Sequence, residues 1–281
     1  MKPPTAADAQ QELVIRASHG WSLPQLGEAW ASRELLWFLV WRDVKVRYKQ
    51  TVLGAAWAVL QPLLTMVVFT IIFSRVAKVP TDGVPYPVFA YAALLPWQMF
   101  ARSLNDAGNS LVTNRQLITK VYFPRLLLPI SSVLAGLVDF AVAFVVLLGL
   151  MFYYGIVPTA AIIALPALIA LAMLTSLAFG VWLSALNVKY RDVRYTIPFL
   201  TQLWLFVTPV AYPSSLVPEQ WRTLYGLNPM AGVVEGFRWA LLGQDASFRS
   251  VWQASAVMMV LLLAGGLVYF QRTERTFADV V

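Results

Sequence analysis

Few side chains in this chain are able to do covalent or metal chemistry. It holds one histidine, His19, and no cysteine, so neither a disulfide nor a thiolate metal site is expected. His19 stands alone in a polar amino-terminal tail, where we expect a solvated residue rather than a ligand. No pair of acidic residues has a catalytic spacing within an apolar run, and no glycine is followed by lysine, so the GxxxxGK[ST] phosphate-binding loop is missing. We predict that the chain is not an enzyme, binds no metal and does not hydrolyse ATP itself.

Asp139 is the clearest ionisable side chain deep in an apolar stretch. An aspartate at the centre of a bilayer costs about 2.5–3.5 kcal/mol on insertion scales, so we expect Asp139 to face protein or water. Two interpretations stand equally: a residue of a channel or coupling mechanism, or a group that hydrogen-bonds neighbouring helices. Both require that Asp139 face away from lipid.

The elements that must position these side chains are long apolar runs. Hydrophobic residues make up 59% of the 281 residues and charged residues 12%, against about 25% charged in soluble domains. A helical span needs about 20 apolar residues, so the runs predict an all-α polytopic membrane protein with six transmembrane helices. The predicted spans are residues 51–74, a second from residue 86 to about 102, a third and fourth that form a hairpin turning at residues 153–158, a fifth from about residue 195, and residues 250–271.

Two segments outside the spans have patterns of their own. Residues 33–50 place aromatic residues on one helical stripe and cations on another, which is typical of an amphipathic helix lying at the membrane interface. The alternative is the cytoplasmic end of a long first span. Residues 214–248 hold two short helical segments, each too short to cross a bilayer, and predict a re-entrant pair before the last span.

Lysine and arginine are distributed unevenly between the two sides of these spans. With the amino terminus inside, cytoplasmic segments near the spans carry thirteen of them and outer loops carry five. This bias places both termini in the cytoplasm and requires an even number of spans; six is preferred, and eight has the same parity. Residues 1–32 and 272–281 are then cytoplasmic tails around a transmembrane domain at residues 51–271, and no cleaved signal peptide is expected. Because the cations cluster at the ends of apolar runs, they indicate anionic lipid rather than nucleic acid.

Aromatic side chains are the candidates for contact with a sugar. They form 14% of the chain, with eleven tryptophans, and their faces offer apolar contact to sugar rings without requiring a fixed charge. The competing explanation is that Trp and Tyr gather at membrane–water interfaces in any case. The better candidates to line a sugar path lie in the first and fifth spans: Trp57, Phe69, Phe73, Phe199, Trp204 and Phe206.

Several longer segments resemble one family of membrane proteins. They are RELLWFLVWRDVKVRYKQTVLGAAWAVLQPLLTMVVFTIIFSRV, PYPVFAYAALLPWQMFA, NRQLITKVYFPRLLLPI, NVKYRDVRY and LNPMAGVVEGFRWALLG. From about Leu13 to the last span, the chain is similar to the permeases of type-2 ATP-binding-cassette exporters of O-antigen, capsule and teichoic acid polymers. The first and third segments are the specific ones.

The resemblance implies a homodimer of six-span subunits in the bacterial inner membrane, capped by two nucleotide-binding subunits that hold ATP and Mg²⁺. The chain itself then binds no cofactor. It implies a lipid-pyrophosphate-linked polysaccharide substrate, threaded between the two subunits, as in export of O-antigen for lipopolysaccharide biosynthesis. It also implies a coupling helix at about residues 114–125 and a second cytoplasmic contact at residues 189–194.

Site residues follow from the same resemblance. The implied ATPase-coupling residues are Asn114, Arg115, Lys120, Tyr122, Arg125, Lys189, Arg191 and Asp192. The implied residues of an outer gate are Glu235 and Arg238. Pyrophosphate would be attracted at the inner headgroup level, at about 1 kcal/mol per basic residue, by Arg42, Lys45, Arg47 and Lys49.

Other functions are weighed against this one. A small-molecule efflux permease of the same superfamily is the alternative within transport. A membrane-bound sugar-modifying enzyme would need a catalytic cluster that the sequence does not offer. A purely structural scaffold would leave Asp139 and the basic helix without an evident use. The identity and length of the polymer stay open.

Overall fold

The computed structural model describes residues 27, 30–49, 54–81, 83–244, 249–274 and 277. Across these ranges the chain is helical and contains no strand, so the all-helical prediction is confirmed. Most of the predicted amino-terminal tail, with His19, lies outside the described residues, as do residues 245–248 of the predicted re-entrant segment.

The α-helices are labelled in chain order as α1 (Arg33–Lys49), α2 (Gly54–Phe69), α3 (Tyr86–Thr113), α4 (Arg115–Lys120), α5 (Leu127–Tyr153), α6 (Leu165–Lys189), α7 (Val193–Val207), α8 (Glu219–Tyr225), α9 (Pro229–Leu242) and α10 (Arg249–Glu274). A π-helix, Thr70–Val76, continues α2, and 3₁₀ turns at Ala160–Ala164 and Ser214–Leu216 precede α6 and α8. The chain reverses after α5 at Gly155, whose φ of 68° is a conformation that glycine adopts readily.

Six helices of the described chain, α2, α3, α5, α6, α7 and α10, run alternately between two ends of a bundle. Tyr91, early in α3, donates a hydrogen bond to Ala143 O in the second half of α5, whereas Ser103, later in α3, lies beside Gly136 in the first half. Helices α3 and α5 are therefore antiparallel. In the same way α2, α5 and α7 point in one direction and α3, α6 and α10 in the other.

One end of the bundle gathers α4, the loop after α6 and the end of α10. Asn187 near the end of α6 donates to Gly108 O near the end of α3 at 3.0 Å, so these two helices are parallel and finish together. Arg125, which follows α4, donates to Glu274 O at the end of α10. Buried apolar side chains of α1, α4 and α10 form one cluster here. We call this the α4 end.

The opposite end, which we call the α9 end, gathers the remaining connections. Tyr86 at the start of α3 donates to Ala211 O at 2.8 Å, and Thr159 before α6 donates to Ala240 O of α9 at 3.1 Å. The segments predicted to be cytoplasmic thus share the α4 end, and the segments predicted to be outer share the α9 end.

Four helical stretches of the described residues are long and apolar enough to cross a bilayer: Ala56–Val76, Leu127–Tyr153, Ala160–Lys189 and Val251–Glu274. The second and fifth predicted spans correspond to α3 and α7. Helix α7 has 15 residues, about 22 Å of helix, which is shorter than the hydrocarbon layer of about 30 Å. Helix α3 is long enough, with 28 residues, but it is less apolar.

Helix α3 also differs in length from the predicted second span, which was expected to end near Arg102. The helix continues for three turns to Thr113. The polar residues of this extension have partners inside the bundle, because Asn109 donates to Asn105 O and accepts from Asn187 of α6. The change from apolar to polar residues near Arg102 therefore does not mark the end of α3.

Small residues let α3 lie at the centre of the bundle, against α2, α5, α6, α7 and α9. A Cβ atom added to Gly180 of α6 would lie 2.7 Å from Cβ of Ala107 in α3. Close helix contacts at small residues are a common way of packing membrane helices. The central helix is thereby fixed, and its polar side chains have defined positions.

Candidate functional site

Asp139, near the middle of α5, is the centre of a network of ion pairs. Its carboxylate accepts hydrogen bonds from Arg47 and Tyr48 of α1 and, at 2.8 Å, from Arg102 of α3. Arg47 also pairs with Asp106 of α3 at 2.6 Å. We call these five residues the Asp139 cluster. The Asp139 side chain is only 10% exposed, and two arginines against two aspartates leave the cluster neutral, as burial of charge requires.

The geometry favours the interpretation of Asp139 as a group that joins helices. It links α5 to α1 and α3 through side chains 92 and 37 residues away in the sequence. Tyr48 is the neutral donor. Burial and the Asp139 carboxylate raise the pKa of Tyr48 to about 12, because both disfavour the phenolate. Tyr48 therefore keeps its proton near neutral pH and remains a donor.

Helix α1 rests on the bundle with one face and leaves the other exposed. Leu39 is 1% exposed, and Ser131 of α5 donates to Asp43 at 3.1 Å. Trp37 and Trp41, by contrast, expose 68% and 53% of their surface. Exposed rings on a docked helix suit the headgroup region of a membrane, where tryptophan is enriched.

The four cations predicted to hold pyrophosphate divide into two pairs. Arg42 pairs with Asp43 at 2.8 Å, and Arg47 belongs to the Asp139 cluster. Lys45 and Lys49 are exposed. Two carboxylates hold the Arg47 guanidinium, whereas the two lysines face outwards. The pyrophosphate role of all four cations stays a prediction.

A polar groove of about 340 Å³ opens between α2, α3 and α7. Its polar lining consists of four carboxamides, two hydroxyls and one cation: Gln61 and Thr65 of α2, Gln98, Arg102 and Asn105 of α3, and Thr201 and Gln202 of α7. We call it the amide groove. Leu94, Trp97, Ala101, Pro198 and Leu205 complete its wall. Its volume is within the range of small-molecule sites, about 300–1,000 Å³.

This groove was not predicted, although the sequence contains a signal for it. On α2 the polar pair is Gln61 and Thr65, and on α3 it is Gln98 and Arg102. Residues four positions apart share one face of a helix. Polar pairs at this spacing inside apolar helices predict a polar face, and the structure turns these two faces, together with Thr201 and Gln202 of α7, towards one space.

Arg102 belongs both to the Asp139 cluster and to the amide groove. Its Nη1 donates to Asp139 at 2.8 Å, and its Nη2 donates to Gln61 Oε1 at 3.2 Å. A small cavity of about 20 Å³, lined by Arg102, Asp139 and Gln98 among others, lies between the two sites. This volume is close to that of a single water molecule. A groove residue is thus held in position by the cluster.

The six aromatic residues predicted to line a sugar path have different surroundings. The exposed ones are Trp57, Phe199 and Phe206. The others belong to the chain's own apolar core: Phe69, Phe73 and Trp204. Trp57 lies one turn before Gln61 and Phe206 one turn after Gln202, so these two rings extend the polar faces of the amide groove. Phe69 is buried in this core, Phe73 and Trp204 are partly buried against it, and a role in the sugar path stays a prediction for all six.

The residues predicted to couple to an ATPase lie at the α4 end. Those that are exposed are Arg115, Lys120, Tyr122, Lys189, Arg191 and Asp192. Helix α4 is seated on the bundle by the buried side chain of Ile118. Asn114 donates to Ser110 O at 2.8 Å, and Arg125 bonds Glu274, so these two residues hold the fold locally. The exposed set offers a mixed-charge surface to a partner.

The two residues predicted to form an outer gate are buried at the α9 end. Arg238 is fully buried, pairs with Glu235 at 3.3 Å and stacks 3.6 Å over the Phe89 ring. It also donates to Val210 O at 2.8 Å and Tyr212 O at 3.2 Å. These contacts hold the loop after α7 against α9, so they stabilise the fold at this end of the bundle. A gating role stays a prediction.

Comparison with protein families places most of the chain in a family of transport proteins. Residues 34–242 match the ABC-2 type transporter membrane family. The matched range begins in α1 and ends with α9. It therefore contains the Asp139 cluster, the amide groove and α4.

Individual relatives point the same way. The chain is 32% identical over 257 residues to an O-antigen export system permease protein RfbA of Myxococcus xanthus, covering 90% of this chain and 98% of that protein. It is 29% identical to a protein of the same name from Klebsiella pneumoniae, covering 88% and 95%. It is 23% identical to the polysialic acid transport protein KpsM of Escherichia coli, covering 83% and 91%.

Proposed function

Because this chain belongs to the ABC-2 type transporter family, we propose that it is the permease subunit of an ATP-driven exporter that moves a lipid-linked polysaccharide of the O-antigen type across the inner membrane. The observation that carries the proposal is the likeness to O-antigen export permeases along nearly their whole length. The bonds of the substrate are not changed; the chain provides the path.

The path is formed by two copies of the chain. One copy offers an open groove between α2, α3 and α7 rather than a closed pore. Helices α2 and α7 carry many exposed apolar side chains beside it. Two copies that face each other across these helices enclose the two grooves, which supports a homodimer with a central conduit.

The six alternating helices are the six spans, with both termini and the α4 end in the cytoplasm. This orientation agrees with the excess of cations in the segments of the α4 end. The exposed residues of α4 and of the loop after α6 then dock on two nucleotide-binding subunits, which hold ATP and Mg²⁺. The chain has no phosphate-binding loop of its own, so the motor must come from these partners.

The substrate reaches the conduit at the cytoplasmic headgroup level, where α1 lies. Lys45 and Lys49 are exposed there and attract its pyrophosphate. Arg47 fixes α1 to the bundle through the Asp139 cluster. Helix α1 thus combines a docking face with a cationic one.

Deletion and purification test the proposal. A strain that lacks the chain should lose a surface polysaccharide and regain it from a plasmid copy, as judged by gel staining of cell-envelope glycans. The purified chain alone should show no ATPase activity, and activity should appear with its nucleotide-binding partner. A deletion strain with unchanged envelope glycans, or ATP turnover by the isolated chain, would refute the proposal.

A further inference from the structure

The charge of the amide groove restricts what it is able to bind. Of the residues that line it, one is charged, Arg102, and its guanidinium bonds Asp139 at 2.8 Å. The carboxylate of Asp139 balances that charge at close range. An acidic polymer in the groove would find no cation that is not already matched, so its charges would leave water without gaining a partner, which is costly.

The uncharged lining has a different capacity. The carboxamides of Gln61, Gln98, Asn105 and Gln202 each carry two N–H donors and an oxygen acceptor. The oxygens of Gln61 and Asn105 also accept from Arg102 and Asn109. The hydroxyls of Thr65 and Thr201 donate to backbone carbonyls of their own helices and keep their acceptor capacity. Sugar hydroxyls are likewise donors and acceptors. Bonds between neutral partners are modest, at about 1 kcal/mol net each. A wall of such groups therefore holds a polyol weakly and in many equivalent positions, which suits a polymer that must slide along the groove.

We propose that the amide groove is a binding surface for neutral sugar residues, held through their hydroxyl groups, and that it disfavours acidic polysaccharides. The inference rests on the proposed function and adds the chemical class of the polymer. Trp57 and Phe206, at the two ends of the polar faces, add apolar contact to sugar rings without adding charge.

A photo-reactive side chain placed in the groove tests the contact. p-Benzoylphenylalanine is introduced at Gln202, which lines the groove, or at Leu203, the next residue, which lies on an apolar surface of α7. Cells with the complete exporter are irradiated, and the purified chain is analysed for covalently attached monosaccharides. We expect a carbohydrate adduct from position 202 and little from position 203.

Each outcome of this experiment decides the proposal. Neutral monosaccharides in the 202 adduct support it. Uronic or sialic acids in that adduct overturn it. An adduct to a second copy of the chain, equal labelling from both positions, or the absence of carbohydrate from position 202 in cells that still export polymer overturns it as well.

Substitutions of opposite charge provide a second measurement. In variants present at equal amounts in the membrane, Gln202→Glu and Gln202→Lys should slow export by the same factor, within about twofold, because a neutral polymer does not respond to the sign of a charge. An acidic polymer would separate the two variants by roughly tenfold or more, since attraction becomes repulsion. That separation would overturn the inference and leave the proposed function intact, whereas unchanged glycans in the deletion strain would refute the function itself.

Discussion

Neutralising Asp139 should release α1 from the bundle. Asn has nearly the same shape as Asp, so Asp139→Asn keeps an acceptor for Arg47 and Arg102 but removes the charge. Hydrogen bonds to a charged group contribute about 1.5–3 kcal/mol and neutral ones about 1 kcal/mol. Two of the donors to Asp139 lie on α1, the Arg47 guanidinium and the Tyr48 hydroxyl, so the loss is about 2 kcal/mol, or roughly a thirtyfold shift in the docking equilibrium.

A thiol cross-link measures this docking directly. The chain contains no cysteine, so a single introduced pair reports without background. Asp43→Cys and Ser131→Cys place thiols where the side-chain oxygens are 3.1 Å apart, and neither residue belongs to the Asp139 cluster. The rate of cross-linking by a short thiol-specific reagent follows the docked fraction, so it should fall when Asp139→Asn is added, by at most about thirtyfold.

A matched substitution controls for the general effect of replacing an acid by an amide. Glu219 pairs with Arg222 at 3.3 Å but its side chain is 88% exposed, and such surface pairs contribute little. Glu219→Gln should leave the cross-linking rate unchanged. If Asp139→Asn also leaves it unchanged while the protein remains in the membrane, the Asp139 cluster does not hold α1 and the reasoning fails.

Two further predictions concern packing and the entrance. Gly180→Ala brings Cβ to 2.7 Å from Cβ of Ala107 and should destabilise the protein by about 1–3 kcal/mol, seen as a lower Tm in detergent. The control is Gly149→Ala, where nothing lies within 4 Å, and this variant should not lower Tm. Equal Tm values for the two variants would contradict the close contact of α3 and α6. Lys45→Gln combined with Lys49→Gln should reduce export without changing the α1 cross-link, since about 1 kcal/mol of attraction to an anionic headgroup is lost per lysine. Wild-type export by this variant would show that the two lysines do not attract pyrophosphate.

Local sequence patterns predicted most helices, because the length of an apolar run and the residues of a turn are set by neighbouring positions in the chain. A helix occupies Arg33–Lys49 within the predicted 33–50, and short helices occupy Glu219–Tyr225 and Pro229–Leu242 within the predicted 214–248. Whether α1 lies at a membrane surface and whether α8 and α9 are re-entrant stay predictions. The end of α3 was predicted too early. Asn109 lies inside the bundle because Asn187, 78 residues further on, donates a hydrogen bond to its side chain.

The candidate site was less predictable for the same physical reason. The cost of burying Asp139 predicts that it has partners, but not which ones, since Arg47 and Arg102 come from distant segments. Arg47 was predicted to attract pyrophosphate because of its position among other cations, and the fold gives it two carboxylate partners that the sequence did not indicate. The aromatic residues predicted for the sugar path left out Gln98 and Gln202. Gln98 forms a polar pair with Arg102 one turn away, whereas Gln202 has no polar partner at that spacing.

Arg102 shows why the cluster and the groove need a guanidinium and not merely a positive charge. One nitrogen bonds Asp139 and the other bonds Gln61, so a single planar group joins α5 to α2 from its place on α3. Arginine is suited to this because it stays charged and presents its donors in a fixed fork, whereas lysine has one compact ammonium on a flexible stem. Lysine at this position would keep the charge balance with Asp139 but would lose the fixed second bond. The wall of the groove would then be free to move independently of α1, although every charge in the cluster was still matched.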